Sequence, residues 1–526
     1  MLEATEEQKE FIKELLADRP CFLSARAGTG KTSTIRLGIE ALKEKGYPLQ
    51  NITVVAFNKA NQEDLSRVLP QECKVATLHS LGFQSLRRFL PGLKLETDKL
   101  FKLVSEAGIR GKNSRDIFKD TMKLVSAAKS QGLVVKPLKK GNLFREGILE
   151  NTGKNWLDLV ERYELWDADI EKGREILQKS NELSLEERII DFDDMVYLPV
   201  ALGQKIITSD KLIVDEAQDL SPLNLKMLKE IPSKIWYVGD PYQTIYAWRG
   251  AETKAIESLG LRTLPLTNCW RCSGEIIKEA RKLVPDIRTT NPDGVPVRTL
   301  EETPDWEELS PATILARRNS QLILIALKLR ASKSKTQVCI FGRDFAKTLE
   351  GILEKLKGTT SKALKESLRV WTTKMIQKYP HQEGELKDYQ VSLESILSEV
   401  SGVQAAKKLL EEIFTDSPKE GCWILSTIHK AKGKEWKKVY LLDWEKKGEQ
   451  GWQKIEERNL EYVGITRARE ELIRVKEEKK VLLDETLRST GQIVFSRGEE
   501  VYRGEGEDDP QAELLSGGES YGGLWD

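Results

Sequence analysis

Residues 25–32 of the chain read Ala25-Arg26-Ala27-Gly28-Thr29-Gly30-Lys31-Thr32. This octapeptide follows an apolar run that begins at Cys21 and opens a helical pattern, the context of a phosphate-binding P-loop, with Ala25 where the strict pattern has Gly. Small residues let backbone N–H groups approach the β- and γ-phosphates, Lys31 can reach their oxygens, and Thr32 can ligate Mg²⁺. The stretch predicts a nucleotide site formed by Ala25, Ala27, Gly28, Thr29, Gly30, Lys31, Thr32 and Ser33.

A second apolar strand ends in two adjacent carboxylates, in the sequence Leu212-Ile213-Val214-Asp215-Glu216. Asp215 can hold Mg²⁺ directly or through water, and Glu216 can orient and deprotonate the water that attacks the γ-phosphate. Together with the P-loop, this pair predicts hydrolysis of a nucleoside triphosphate. ATP is favoured because the nearest string to a guanine-reading Asn-Lys-x-Asp motif, Asn58-Lys59-Ala60-Asn61, lacks the Asp. A small-molecule kinase is disfavoured, because it would not need the second α/β core that the sequence also predicts.

Strand and helix patterns alternate along much of the chain, which predicts an α/β fold with parallel sheets. The predicted strands form two sets, so we expect two α/β cores. Two Lys-, Glu- and Leu-rich segments, about 82–188 and 344–420, have helical patterns and are expected to be insertions. The predicted strands are residues 21–23, 52–55, 74–77, 212–214 and 235–238 in the first set, and 312–316, 337–341, 423–428 and 439–442 in the second.

Composition limits the class of protein. The 526 residues suffice for three or four domains, and no window approaches the roughly 18 apolar residues of a membrane helix. Residues 1–16 lack the apolar core of a secretory signal, so we expect an intracellular protein, cytoplasmic or nucleoid-associated if prokaryotic. Six scattered cysteines are expected to be reduced thiols. Cys269 and Cys272 have zinc-like spacing but no second pair or neighbouring His, so we expect no metal or redox role.

Charge is balanced overall but unevenly distributed. Lys+Arg and Asp+Glu each number 83, yet residues 498–526 hold nine acids and one base, which leaves a body of +8. Within it, residues 93–148 carry 13 bases and six acids. Such a stretch is either a polyanion-binding face or a solvated helix face. The acidic tail is expected to be disordered and is a candidate docking segment for a protein partner.

With Asp215-Glu216-Ala217-Gln218-Asp219 in place, the chain resembles the superfamily 1A DNA helicases of the UvrD, Rep and PcrA type. The other matching strings of the first core follow in the family's order. They are Thr5-Glu6-Glu7-Gln8, Val55-Ala56-Phe57-Asn58-Lys59-Ala60, Thr77-Leu78-His79-Ser80, Asp191-Phe192-Asp193-Asp194-Met195, and Val238-Gly239-Asp240-Pro241-Tyr242-Gln243-Thr244-Ile245-Tyr246-Ala247-Trp248-Arg249-Gly250-Ala251. In the first of these strings, the resemblance assigns Gln8 to the edge of the adenine base.

The last of these strings can couple nucleotide hydrolysis to DNA binding, because it contains candidate residues for both. The resemblance implies that Gln243 senses the γ-phosphate and that Trp248, five residues later, stacks on a base. Phe57 and Trp248 could instead be core aromatics. The residues expected to contact DNA are Phe57, Asn58, Thr77, His79, Trp248, Arg249 and His429.

Three further strings match in the second core. The first is Leu266-Thr267-Asn268-Cys269-Trp270-Arg271. The resemblance implies that Trp270, at a position where Tyr is usual, stacks on adenine and that Arg271 contacts the γ-phosphate. In Ser426-Thr427-Ile428-His429-Lys430-Ala431-Lys432-Gly433-Lys434-Glu435-Trp436, Glu435 is expected to bind the ribose, while Lys434 and Trp436 replace Leu and Phe. Glu461-Tyr462-Val463-Gly464-Ile465-Thr466-Arg467-Ala468-Arg469 supplies Arg467 as an arginine finger.

The resemblance implies two RecA-like domains, 1A and 2A, with helical insertions 1B and 2B and the ATP and Mg²⁺ site between the cores. The expected catalytic residues are Lys31, Asp215, Glu216, Gln243, Arg271 and Arg467. The expected boundaries are 1–83 and 189–262 for 1A, 84–188 for 1B, 263–343 and 421–490 for 2A, 344–420 for 2B, and 491–526 for the tail.

The implied activity is ATP-dependent 3′-to-5′ translocation on single-stranded DNA and unwinding at single-strand/duplex junctions. We expect the protein to be a monomer or a weak dimer and not to associate with a membrane. The short 2B insertion and the Phe-Asn-Lys-Ala string lean toward the F-box helicase relatives, although no F-box segment precedes Thr5. Two alternatives stay open: a translocase that strips proteins from single strands with little unwinding, and a DNA-binding scaffold with an inactive nucleotide site.

Overall fold

Two parallel six-stranded sheets organise the protein, as the sequence predicts. The computed structural model describes residues 4–109, 114–145, 147–163, 165–206, 209–245, 256, 258–331, 337–378, 383–415, 417–418, 421–444 and 451–476. The expected DNA contacts Trp248 and Arg249 and the acidic tail lie outside the described residues. Among the described residues, no helix combines the length and apolar composition needed to cross a membrane.

The first sheet has the strand order β3-β2-β6-β7-β1-β8. Its strands β1, β2 and β6 are apolar and buried on both faces, as expected for a parallel sheet covered by helices. Its elements are α1 (Glu6–Leu16), β1 (Cys21–Ala25), α2 (Lys31–Glu44), β2 (Ile52–Ala56), α3 (Lys59–Val68), β3 (Lys74–Thr77), α4 (Leu78–Phe89), α9 (Asp194–Ala201), β6 (Lys211–Val214), α10 (Pro222–Lys229), β7 (Lys234–Gly239) and β8 (Arg262–Leu266).

A helical insertion separates α4 from α9, and helix α4 itself runs across the expected boundary at residue 83. The insertion shares one apolar core with the face of the first sheet beside it. It contains β4 (Lys94–Leu95), α5 (Lys99–Glu106), α6 (Ser114–Ser130), α7 (Gly153–Arg162), α8 (Ile170–Glu186) and β5 (Ile189–Ile190).

The second sheet has the strand order β11-β16-β15-β12-β14-β13 and is also parallel throughout. The chain enters it from β8 through a short turn. The elements of the second core are β9 (Asn268–Cys269), α11 (Gly274–Arg281), β10 (Arg288–Thr289), β11 (Arg298–Leu300), β12 (Thr313–Ala316), α12 (Asn319–Ala331), β13 (Val338–Ile340), β14 (Trp423–Thr427), β15 (Trp436–Leu442), α17 (Gly451–Ile465) and β16 (Ala468–Val475). Strands β9 and β10 pair with each other in a separate two-stranded sheet.

The described part of the second insertion, between β13 and β14, contains four helices. They join the second sheet in a single hydrophobic cluster, so this insertion packs as part of the second core. The Asp388 carboxylate accepts the backbone N–H groups of Asn319 and Ser320 at 3.3 and 3.0 Å, which caps α12 from the insertion. The helices are α13 (Arg343–Leu353), α14 (Ser361–Lys378), α15 (Glu383–Glu399) and α16 (Val403–Ile413).

Candidate functional site

The P-loop connects β1 to α2 at the carboxyl end of the first sheet, where parallel sheets bind their ligands. Gly28 and Gly30 have φ of +69° and +86°, a region that glycine adopts without a steric penalty. The Thr29 hydroxyl donates to the Arg26 carbonyl at 2.7 Å and tightens the loop. Thr32 and Ser33 are exposed in the first turn of α2. The loop therefore has the backbone and the open helix end that a phosphate requires.

The two expected catalytic carboxylates lie directly beyond β6, and Lys31 reaches one of them. Lys31 Nζ donates to both oxygens of Glu216 at 3.0 Å. Glu216 has φ +50°, a rare conformation for a side chain other than Gly or Asn, which marks a constrained turn. The Gln218 amide donates to Glu216 at 2.5 Å and accepts the Asp240 N–H at 3.0 Å.

These contacts set the protonation of the pair. Burial and the adjacent Glu216 charge raise the pKa of Asp215 to about 6. Burial also disfavours ionisation of Glu216, but Lys31 and then Lys432 outweigh it and lower its pKa to about 2. Glu216 is therefore the more acidic member of the pair, and Lys31 is its principal counter-ion.

The second core contacts the P-loop directly. The Ala27 N–H donates to the Tyr462 hydroxyl at 2.9 Å, and the Trp270 N–H donates to the Gly28 carbonyl at 2.9 Å. A Cβ on Gly28 would lie 2.6 Å from Arg271 Cβ, so only glycine allows this approach. The cleft between the cores is closed tightly enough for residues of both to share one site.

Lys432, on the loop after β14, forms a second bridge between the cores. Its Nζ donates to Asp219 Oδ2 at 2.6 Å and to the Gln243 carbonyl at 2.9 Å. The Gln243 side chain donates to Asp240 at 2.7 Å. The Asn459 amide adds a bond to the Thr244 carbonyl at 3.0 Å. The segment expected to sense phosphate is thus held from both sides.

The two expected phosphate-binding arginines lie in the second core near this cleft. Arg467 is buried and donates to the carbonyls of Val463 and Lys434, each at 3.0 Å. Burial and the charge of Arg271 lower the pKa of Arg467 to about 10. Arg271 pairs with Glu435, the expected ribose ligand, which also lies 3.6 Å from Arg469. In this arrangement the Glu435 carboxylate lies between Arg271 and Arg469 and is a counter-ion to both.

The expected base contacts differ in accessibility. Trp270 is 59% exposed beside the P-loop. Gln8 is buried, where its amide donates to Thr34 at 3.1 Å and accepts the Thr5 N–H at 3.0 Å. This bonding holds α1 against α2 and fixes the direction of the Gln8 side chain.

The described DNA-contact candidates lie at the carboxyl ends of three strands, β2, β3 and β14. Asn58 caps α3 by accepting the Asn61 N–H at 2.8 Å, and Thr77 caps α4 by accepting the Ser80 N–H at 3.2 Å. The remaining three differ in exposure: His79 is exposed, while Phe57 and His429 are half-buried.

Among the cleft residues that were not assigned from the sequence are Arg26, Asp286, Lys432 and Tyr462. Arg26, Lys432 and Tyr462 lie inside recognised strings, so their positions could have indicated a place in the site. Nothing in the local sequence indicates the pairing of Arg26 with Asp286, which lies 260 residues away.

The fold and the site together define a two-core P-loop protein of the RecA-like class. Residues 4–261 match the UvrD/REP helicase N-terminal domain, and residues 320–479 match the UvrD-like helicase C-terminal domain. The chain therefore belongs to the UvrD/Rep family of superfamily 1 helicases, as the sequence motifs predict.

Individual relatives match different shares of the chain. It is 29% identical to the ATP-dependent DNA helicase Rep of Buchnera aphidicola subsp. Baizongia pistaciae over 53% of this chain and 42% of that protein. The chain is 26% identical to the ATP-dependent DNA helicase Rep of Escherichia coli K12, over 50% of this chain and 41% of that protein. The F-box DNA helicase protein 1 of Schizosaccharomyces pombe is 24% identical over 89% of this chain and 57% of that protein. The chain spans about half the length of these relatives.

Proposed function

We propose that this chain is an ATP-dependent DNA helicase that moves 3′-to-5′ along single-stranded DNA. The observation that carries the proposal is the site between the cores, where Lys31 and Glu216 face the second core and Tyr462 bonds the P-loop amide of Ala27. Such a site changes when the cores move relative to each other, which is what a motor needs. The names of the Rep and F-box helicase relatives support DNA helicase activity, while the direction of movement rests on the resemblance of the motifs.

The ion pair of Lys31 and Glu216 has a direct consequence for hydrolysis. An incoming γ-phosphate competes for Lys31, and when Lys31 turns to the phosphate Glu216 loses its principal counter-ion. Because burial alone raises the pKa of a carboxylate, Glu216 then becomes a stronger base. Binding of the substrate therefore activates the group that takes the proton from the attacking water, with the Gln218 amide holding its orientation.

The residues expected to hold Mg²⁺ fit that ion. The Thr32 hydroxyl is exposed at the start of α2, and the Asp215 carboxylate follows β6, so both supply the oxygen ligands that Mg²⁺ prefers. When bound, Mg²⁺ would neutralise charge on the phosphates and lower the pKa of Asp215 by its own charge. Arg271 and Arg467 would neutralise the charge that develops on the γ-phosphate.

Coupling to DNA runs through the segment after β7. The Gln243 carbonyl accepts Lys432 of the second core, and Trp248 follows five residues later. A change in the closure of the cleft therefore moves the start of the segment that is expected to stack on a base.

The test follows unwinding of duplexes with a 3′ or a 5′ single-stranded tail, with ATP hydrolysis measured in the same samples. Lys31→Ala is the control, because it removes the phosphate contact and should stop hydrolysis while DNA is still bound. Opening of the 3′-tailed duplex alone is the expected result. Absence of DNA-stimulated hydrolysis would overturn the proposal and favour an inactive scaffold.

A second function is favoured by one observation, the packing of the second insertion into the core of the second sheet. An insertion fixed in this way does not form a separate module that could engage a duplex. The alternative is a translocase that strips proteins from single strands. DNA-stimulated hydrolysis that displaces streptavidin from a biotinylated single strand, while neither duplex opens, would support it.

A further inference from the structure

Two cysteines occupy the turn that joins the cores. Strand β8 ends the first-core segment at Leu266, and helix α11, which begins at Gly274, packs on β16 and α17 of the second core. Cys269 and Cys272 lie between these two points and are 0% and 1% exposed. Their turn therefore bends or shifts whenever the cores move apart.

Each sulfur touches a different half of the nucleotide site. A Cβ placed on Gly28 of the P-loop would lie 2.9 Å from the Cys269 sulfur, so the sulfur packs directly against this glycine. The Cys272 thiol faces the Thr466 carbonyl at 3.7 Å, and Thr466 immediately precedes Arg467. Displacement of the Cys269 sulfur would therefore change the packing of the P-loop, and displacement of the Cys272 sulfur would change the contact beside the expected arginine finger.

The two side chains are also close to each other. The Cys269 sulfur accepts the Cys272 N–H at 3.4 Å, which folds the four residues into a tight turn. A hydrogen bond from the Cys272 thiol outweighs burial and, with the backbone amides and Arg271, lowers the pKa of Cys269 to about 7. By contrast, burial raises the pKa of Cys21 and of Cys73 to about 12. Cys269 is the more nucleophilic thiol near neutral pH.

Although their spacing alone predicted no redox role, we propose that Cys269 and Cys272 form an oxidisable dithiol, a modification site for peroxides that locks the turn between the cores. The Cys269 thiolate attacks one oxygen of hydrogen peroxide, forms a sulfenic acid and releases hydroxide, which takes up a proton to give water. The Cys272 sulfur then attacks the sulfenic sulfur, forms the disulfide and releases a second water. Two thiols and one peroxide become one disulfide and two waters.

Access to the pair depends on the cleft. Because the P-loop covers Cys269 in the closed arrangement, peroxide reaches it when the cores separate. The disulfide draws Cys272 away from the Thr466 carbonyl and restrains the turn on which closure depends. The effect on hydrolysis rests on the proposed function, whereas formation of the disulfide does not.

The test uses the full chain, reduced and then treated with hydrogen peroxide, with and without a non-hydrolysable ATP analogue. Intact mass and peptide mapping should show a loss of about 2 Da at Cys269 and Cys272, more slowly with the analogue. ATP hydrolysis should fall about fivefold or more and recover with dithiothreitol. Failure of the pair to oxidise, equal oxidation rates with and without the analogue, or oxidation with unchanged hydrolysis, would overturn the proposal.

Variants identify the role of each sulfur. Cys272→Ser should stop at the sulfenic acid, a gain of about 16 Da that dimedone traps on Cys269, and Cys269→Ser should not react at this turn. Cys73→Ser, a buried cysteine of the first core, should oxidise as the parent protein does. A disulfide that survives in Cys272→Ser would contradict the assignment. If the reduced parent protein lacks ATP hydrolysis, the proposed function fails while the mass measurements still decide the dithiol.

Discussion

Arg26 and Asp286, one from each core, form a bidentate ion pair with an Nη2–Oδ2 distance of 2.6 Å and an Nε–Oδ1 distance of 2.9 Å. Arg26 belongs to the P-loop, is nearly buried, and its guanidinium lies 4.8 Å from the centre of the Tyr242 ring. The Arg26 guanidinium also holds the pKa of Asp286 below its usual range. The P-loop is thus tied to the second core by this ion pair.

We expect Asp286→Asn to loosen this tie and weaken nucleotide binding. The carboxylate is about half exposed, so the pair should contribute only about 1 kcal/mol, and the KM for ATP should rise roughly fivefold. Steady-state hydrolysis measures the effect. Asp293→Asn, an exposed aspartate nearby, should leave the KM unchanged. An unchanged KM in Asp286→Asn would show that the ion pair does not control closure.

Glu216→Gln should separate nucleotide binding from hydrolysis. The amide cannot accept a proton from water, so turnover should fall by about 10²–10⁴. Lys31 loses its charged partner and is freer to meet phosphate, so the affinity for ATP should stay equal or increase. Fluorescent nucleotide titration and single-turnover hydrolysis measure the two quantities. Weaker ATP binding together with normal turnover would remove Glu216 from the proposed role.

Trp270→Ala tests the stacking surface for adenine. An exposed ring beside the P-loop can contribute about 1–3 kcal/mol by stacking on a base, so the KM for ATP should rise about tenfold while kcat changes little. Trp166→Ala, an equally exposed tryptophan in the first insertion, should not alter the KM. Similar kinetics for both variants would show that Trp270 does not contact the base.

The local parts of the fold and site were predictable because their chemistry is local. Strands β1, β2, β3, β6, β7 and β12 to β15 were confirmed within a few residues, since continuous apolar runs indicate strands buried on both faces. Strands β8, β11 and β16 were missed. They contain Pro265, or polar and charged residues such as Arg298 and Glu471, which weaken the apolar pattern.

Contacts between distant segments could not be predicted in the same way. Ala27 and Tyr462 are 435 residues apart, and nothing in either local sequence specifies the other. The P-loop string predicts that Gly28 binds phosphate, but the close approach of Arg271 to that glycine depends on how the two cores pack. Sequence motifs indicate the components of the site, and tertiary packing determines which of them touch.

The same limit applies to a buried charge cluster between the first insertion and the first core. Lys129 Nζ lies 2.9 Å from Asp191 and 2.8 Å from Asp194, and Lys99 Nζ lies 2.6 Å from Asp194. The Asp194 carboxylate also accepts the Asp191 N–H at 3.0 Å, and the Asp191 carboxylate accepts the Asp194 N–H at 2.9 Å. The lysines lie up to 95 residues from their partners, so the sequence gives no sign of the cluster.

Lys129→Met should therefore destabilise this junction by about 3–5 kcal/mol, because two buried carboxylates are left with one lysine. Burial and then Asp194 already raise the pKa of Asp191 to about 6, and loss of Lys129 should raise it further. A carboxyl with a raised folded pKa loses stability as pH rises through that pKa, so the variant's deficit should be larger at pH 8 than at pH 5. Thermal unfolding at both pH values measures it. Lys102→Met removes an exposed lysine paired with Glu96 and should leave the unfolding temperature nearly unchanged at either pH. An equal loss in both variants would contradict the role of the buried charges.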